Sequence, residues 1–158
     1  TLTNPSQSNG VYLFGVLENG SATYTQTTLT NNTIYLGGTQ SAGSNNTYPY
    51  FRMQGNTAVL KNNIFYNERS GGLGSHFALG NNITTGWTSN YNLFVNTDAS
   101  LILSGFSANG TFTDWKAKSS GDASSMSETV ANIPSGNLFS ATASADLSIV
   151  TANKEAWF

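Results

Sequence analysis

Three short runs decide the fold: Thr30-Asn31-Asn32-Thr33-Ile34-Tyr35-Leu36, Lys61-Asn62-Asn63-Ile64-Phe65-Tyr66-Asn67 and Asn90-Tyr91-Asn92-Leu93-Phe94-Val95-Asn96. Anchored on Ile34, Ile64 and Leu93, they recur after 30 and 29 residues. A second series alternates with the first: Tyr50-Phe51-Arg52-Met53, His76-Phe77-Ala78-Leu79 and Ser100-Leu101-Ile102-Leu103. Anchored on Phe51, Phe77 and Leu101, its spacings are 26 and 24. Each apolar piece is short and rich in β-branched and aromatic side chains, which is strand chemistry. No stripe of helical period persists long enough for a substantial helix. Gly55-Asn56, Asn62-Asn63 and Asn81-Asn82 punctuate the pieces, and such residues accept the left-handed backbone that sharp corners need. Short strands, corners and this period describe one coil of a β-solenoid, whose coils stack about 4.8 Å apart with equivalent strands in parallel. Asn63 with Asn92, and Asn67 with Asn96, hold matched places one coil apart. There carboxamides, which both donate and accept, can form a ladder.

Composition agrees with this reading. The 158 residues suit one domain, and Asn, Ser, Thr and Gly supply 76 of them. Charged residues make up 9%, against about 25% in an average domain. The four abundant types are mediocre or poor helix formers. Seven Tyr, nine Phe and three Trp provide a core, and with a net charge of −2 they argue against disorder. The six Lys and Arg are scattered, so no basic stripe points to nucleic acid or to an anionic membrane surface. The longest mostly apolar run, Val11 to Leu17, falls far short of the roughly 20 residues of a membrane span. With no Cys, disulfides and thiolate metal sites are ruled out. A polar, nearly uncharged chain points to an extracellular or cell-surface setting.

The stretch from Leu29 to Phe139 resembles the right-handed parallel β-helix repeats of secreted bacterial proteins in the pectate-lyase-like superfamily. The runs that carry the resemblance are Leu60-Lys61-Asn62-Asn63-Ile64-Phe65-Tyr66-Asn67 and Ser89-Asn90-Tyr91-Asn92-Leu93-Phe94. Phe112-Thr113-Asp114-Trp115-Lys116-Ala117, followed by Ser120-Gly121-Asp122-Ala123-Ser124-Ser125, is similar to a helix and loop of large surface proteins of Bacteroidetes-type bacteria. The expected fold is therefore all-β, a right-handed parallel β-helix of about four coils. Residues 29–158 form its coils and residues 1–28 an N-terminal coil or cap, within one domain of a longer chain. One short helix is predicted near 113–118, capped by Thr113 or Asp114 and stopped at Gly121, with Phe112 and Trp115 turned inward. Trp157 and Phe158 make an apolar stop, unlike the polar cap a solenoid needs, so self-association through an open coil end is expected. The resemblance marks fold rather than activity, because this fold hosts lyases, hydrolases, adhesins and spacers.

Catalytic chemistry finds little support. The chain lacks Cys, has one His and contains no Gly-x-Ser-x-Gly elbow. His76, near Glu68 and Arg69, reads as a general base or, preferably, as a side chain bonded to loop backbone. Gly71-Gly72-Leu73-Gly74 lacks the lysine and following helix of a phosphate loop. Calcium takes six to eight oxygens, usually with several carboxylates. The eight carboxylates here are dispersed, and Glu68 with Asp98 is the one candidate calcium pair. The clustered aspartates that glycoside hydrolysis needs are not apparent. Trp87, Tyr48, Tyr50 and Tyr91 could stack on sugar rings, although most aromatics are needed in the core. Thr23, Thr25, Thr27 and Thr28 form a Thr-x-Thr row once only, short of an ice-binding face. The sequons at Asn19, Asn31, Asn45, Asn82 and Asn109 follow from composition and matter only in a glycosylating host.

Loops of unequal length, Gly37 to Pro49, Asn67 to Ser75 and Asn96 to Ala99, are expected to stack along one binding side. That side would gather Tyr48, Glu68, Arg69 and Asp98, with Arg69 an exposed loop charge whose removal leaves stability nearly unchanged. With His76 and Trp87 they are the candidate binding residues, and no residue is assigned as catalytic. The expected function is a non-catalytic structural or adhesive module that docks a polysaccharide or a protein. The alternative is a carbohydrate-active enzyme, lyase or hydrolase, or a glycan-binding module on the same scaffold.

Overall fold

Alternation within each short run sends one side chain into the coil and the next out of it, so each run needs cover on both faces. The computed structural model describes residues 2–3, 13–19, 26–55, 57–83, 85–105, 108–144 and 146–150. The first turn of the solenoid contains β2 (Leu13–Glu18), β3 (Thr27–Thr30) and β4 (Thr33–Gly37), and β1 (Leu2–Thr3), which pairs with β4, lies one layer before it. The second contains β5 (Thr39–Gln40), β6 (Thr47–Arg52), β7 (Ala58–Lys61) and β8 (Ile64–Asn67). The third contains β9 (Ser70–Gly71), β10 (Leu79–Asn81), β11 (Trp87–Asn90) and β12 (Leu93–Asn96). A 3-10 turn (Ala99–Leu101), β13 (Leu103–Gly105), β14 (Ala108–Gly110), α1 (Phe112–Ser119) and β15 (Met126–Thr129) follow. The described chain ends in α2 (Ser135–Leu138), β16 (Phe139–Ala141), a 3-10 turn (Thr142–Ser144) and β17 (Asp146–Ile149).

Equivalent strands stack into three main sheets, and the two-residue strands β5 and β9 pair in parallel as a smaller fourth stack. The first is β1-β4-β8-β12-β15 and the third β11-β7-β3, both parallel. The second runs β2-β6-β10-β13 in parallel and ends on antiparallel β14. The described residues thus form a parallel β-solenoid of about three coils, slightly fewer than the roughly four expected. After β11 the chain supplies α1 rather than another third-sheet strand, and the buried Trp115 joins the interior there.

Register matches the sequence expectation in the second interval of each series, with Leu93 on Ile64 and Leu103 on Leu79, and departs from it in the first. Thr33, not Ile34, lies against Ile64. The backbone N–H and the amide of Asn32 both donate to Asn63 Oδ1, at 3.0 and 3.2 Å, and this pins the alignment one residue away from the apolar match. In the second series Phe51 pairs with Gly80, while Phe77 lies beside Tyr48 with rings 5.4 Å apart and 8° from parallel. Gly80 is required there: a Cβ would stand 2.0 Å from Phe51 Cδ2 and 2.6 Å from Tyr48 Cδ1.

Tyr50, Leu60, Phe65, Leu79, Phe94 and Leu103 fill the interior, with the Phe65 and Phe94 rings stacked at 5.4 Å. On the outer face of the first sheet Tyr35, Tyr66 and Val95 are covered by Ile133, Leu138 and Phe139 from the last segment. Phe14, Tyr48, Phe51 and Phe77 form a separate cluster on the second sheet. The third sheet leaves Thr28 and Thr88 exposed and Val59 half-buried.

The expected helix is present, with different caps. Thr111, not Thr113 or Asp114, is the N-cap: its hydroxyl accepts from Asp114 N–H, and the Asp114 carboxylate takes Thr111 N–H at 2.8 Å. This reciprocal pair at three-residue spacing is a capping box. Left-handed Ser120, at φ 52°, ends the helix one residue before Gly121. The one-turn α2 and two 3-10 turns add to the single helix expected. Trp157 and Phe158, and with them the open-end expectation, lie outside the described residues, as do Thr23 and Thr25.

Candidate functional site

The loop side marked by the sequence is packed more than it is exposed. Tyr48 is buried, with its ring stacked between Phe14 at 5.7 Å and Phe77, and its hydroxyl accepts from Asn46 Nδ2 at 3.0 Å. Arg69, expected as an exposed loop charge, is only 1% exposed and donates from Nη1 to Gly37 O at 3.0 Å. His76 is buried with both nitrogens engaged: Nε2–H faces Gly71 O at 3.0 Å, and Nδ1 lies 2.9 Å from Thr47 Oγ1. Burial pushes its imidazole below the usual value; the Gly71 carbonyl opposes that shift and the Arg69 charge adds to it.

The two carboxylates proposed as a calcium pair have separate commitments. Glu68 is half-buried and accepts the Tyr35 hydroxyl. Burial, with that bond and the Glu68 charge, pushes the Tyr35 phenol up to about 12. Asp98 is exposed and caps the 3-10 turn, accepting from Ser100 N at 2.8 Å and Oγ at 2.7 Å. These bonds hold its carboxyl below the ordinary range. Among the described residues no group of three or more His, Asp or Glu is placed to hold a metal ion.

Trp87 belongs to a different place. Its ring lies under the Arg52 guanidinium, 4.5 Å away, and meets Trp115 edge-on at 5.0 Å. Arg52 is fully buried and donates to Thr85 O at 3.0 Å and Gly55 O at 3.2 Å, with Nε 3.6 Å from Glu18 Oε1. Tyr50 donates to Glu18 Oε2 at 2.6 Å, and burial together with this bond raises its phenol far above the ordinary value. Glu18 and Arg52 are direct partners in the β2–β6 register. Neither was singled out in the sequence, where 34 residues separate them.

The exposed chemistry lies at the opposite kind of corner, between the third and first sheets. Asn31, Asn62 and Tyr91 occupy it in successive coils with φ of 59°, 56° and 57°. Behind them runs the expected carboxamide ladder. Asn63 Oδ1 accepts from Asn32, and Asn92 Oδ1 accepts the backbone N–H and the amide of Asn63, each at 3.0 Å. Asn92 Nδ2 then donates at 2.9 Å to Leu60 O and at 3.2 Å to Asp122 Oδ1. Asn67 and Asn96 are also matched, but each donates to backbone carbonyls across the coil and not to the other, Asn67 to Phe77 O and Asn96 to His76 O.

This corner opens into a hollow of about 440 Å³ walled by Asn31, Asn32, Asn62, Asn63, Asn92 and Tyr91, with Ile64, Leu93 and the exposed Met126 as its apolar parts. A second hollow of about 370 Å³ lies on the other side of Tyr91, beside Lys61, Thr88 and Asn90. Of the four aromatics considered for sugar stacking, Tyr48 and Tyr50 are buried, Trp87 is half-buried and Tyr91 is 60% exposed. The arrangement offers amide donors and acceptors beside one flat ring.

Compared with known proteins, the chain matches no family model, no curated protein and no solved structure. The repeat resemblance therefore stands at the level of the parallel β-solenoid. No helix among the described residues is long and apolar enough to cross a membrane.

Proposed function

We propose that this chain is a non-catalytic binding module of a secreted or surface-attached bacterial protein. It would act as a rigid stack of coils that grips an extended partner in the Asn31–Asn62–Tyr91 groove. The observation that carries this reading is the groove itself, long in the stacking direction and walled by carboxamides, with Tyr91 as the one titratable wall residue among the described residues. The side chains that acid–base chemistry would call on are occupied elsewhere. His76 is buried with both nitrogens bonded, Glu68 takes Tyr35, and Asp98 caps its own turn. General acid–base work needs such a group within reach of the proton it moves.

The rival reading, a polysaccharide lyase or hydrolase, makes the opposite forecast. Incubation with polygalacturonate and alginate, with and without calcium, should show no rise in absorbance from unsaturated products. Ser124 is an exposed wall residue, and Ser124→Trp should fill the hollow and abolish retention on insoluble cell-wall polysaccharide with an unchanged circular dichroism spectrum. Turnover, or retention indifferent to that substitution, refutes the proposal.

A further inference from the structure

We infer that the groove takes an uncharged polysaccharide and that Tyr91 is its stacking platform, which rests on the groove being the docking surface. In the first two coils the left-handed corner is filled by Asn31 and Asn62. Asn suits that backbone because its short polar side chain tolerates it. The third coil places a tyrosine there, at φ 57°. A bulky aromatic adopts this region rarely, and strain of this kind gathers where a site needs it. Packing gives no return for it: Tyr91 is 60% exposed, and among the described residues no ring stacks on it. An Asn would make the same corner with less strain, so the ring is retained for what it presents to solvent.

What it presents is a flat face between two hollows, both of which it lines. Aromatic faces suit the C–H faces of sugar rings, and the exposed Asn31 and Asn62 amides can donate to and accept from hydroxyls. Among the described residues, the wall of the larger hollow contains no Lys, Arg, His, Asp or Glu. A uronate or sulfated chain entering it would lose hydration with no cation to pair its charges. A neutral chain loses nothing of the kind.

Affinity electrophoresis through hydroxyethylcellulose, galactomannan or dextran, against alginate and polygalacturonate, tests this directly. At least one neutral polymer should retard the protein and neither anionic one should. Tyr91→Asn should weaken that retardation about tenfold or more and raise Tm by roughly 1–3 °C, while Tyr91→Phe keeps the binding. Retardation by the anionic polymers alone overturns the uncharged ligand and leaves the groove as docking surface. No retardation by any of the five overturns the inference, and the groove reading then stands or falls on the Ser124→Trp result. Unchanged binding in Tyr91→Asn, or a lower Tm, overturns the platform role.

Discussion

Arg69 and His76 are polar side chains whose role depends on depth alone. Read along the chain, Arg69 is a loop charge whose removal leaves stability untouched; in the fold it is buried and bonded to Gly37 O. Arg69→Ala removes that bond and empties a buried site, which costs on the order of 1–3 kcal/mol, so urea melts should show clear destabilisation. His76 sets a pH dependence. Its folded value lies below the ordinary one, chiefly through burial, so the folded state favours the neutral ring. Its contribution is fully present above about pH 6.5, the unfolded value, and is lost as pH falls below it, because the unfolded chain binds the proton more readily. Urea midpoints should therefore drop from pH 7.5 to 5.5 more steeply in the native chain than in His76→Gln. Parallel curves would assign the titration to another group.

At the scale of the element, α1 and the asparagine ladder form one device. The ladder needs an acceptor after Asn92, and Asp122 supplies it from the loop beyond the helix. Asp122 is fully buried and also accepts Trp115 Nε1 at 2.7 Å and the Ser125 hydroxyl. Every bond its carboxylate makes is as an acceptor. Asp122→Asn would turn an NH2 toward one of these donors, and leaving buried groups unpaired should cost about 1–3 kcal/mol. Equal stability of the two proteins in thermal melts would show that the network rearranges freely. The helix was legible near 113–118, but its cap was misplaced by two to three residues, although Thr111 and Asp114, three apart, are a local signal. Trp115 turns inward as the sequence led one to expect, but its edge-on meeting with Trp87 depends on the third sheet ending at Asn90, 25 residues earlier.

Across the whole molecule, stability is shared by coils that touch mainly their neighbours, so damage at one interface between coils reaches the adjacent ones. Gly80 sits at the contact of β6 and β10, where an added methyl meets the Phe51 and Tyr48 rings. Gly80→Ala should cost about 1–3 kcal/mol by overpacking, read as a lower urea midpoint, and an unchanged midpoint would mean that the aromatic stack shifts without penalty. The sequence by itself determined the parallel stacking of short strands, the Asn corners and the Asn63–Asn92 rung, because period, strand propensity and corner chemistry are local properties that repeat. Only the tertiary structure decided the register between the first two coils: Ile34 packs into the interior with Phe65 while Ile64 belongs to the outer cluster with Tyr66, so Thr33 rather than Ile34 lies on Ile64, and the Asn32–Asn63 bonds fix that alignment. Only it decided which side faces solvent. Ring stacking from Phe14 and Phe77 buried the Tyr48 side, and Trp115, Ile133 and Phe139, distant in the chain, closed the helix end and the first sheet. Tyr91 was left outside in a strained corner, because burial is set by whatever segment arrives to cover a surface, and none of the described residues covers that one.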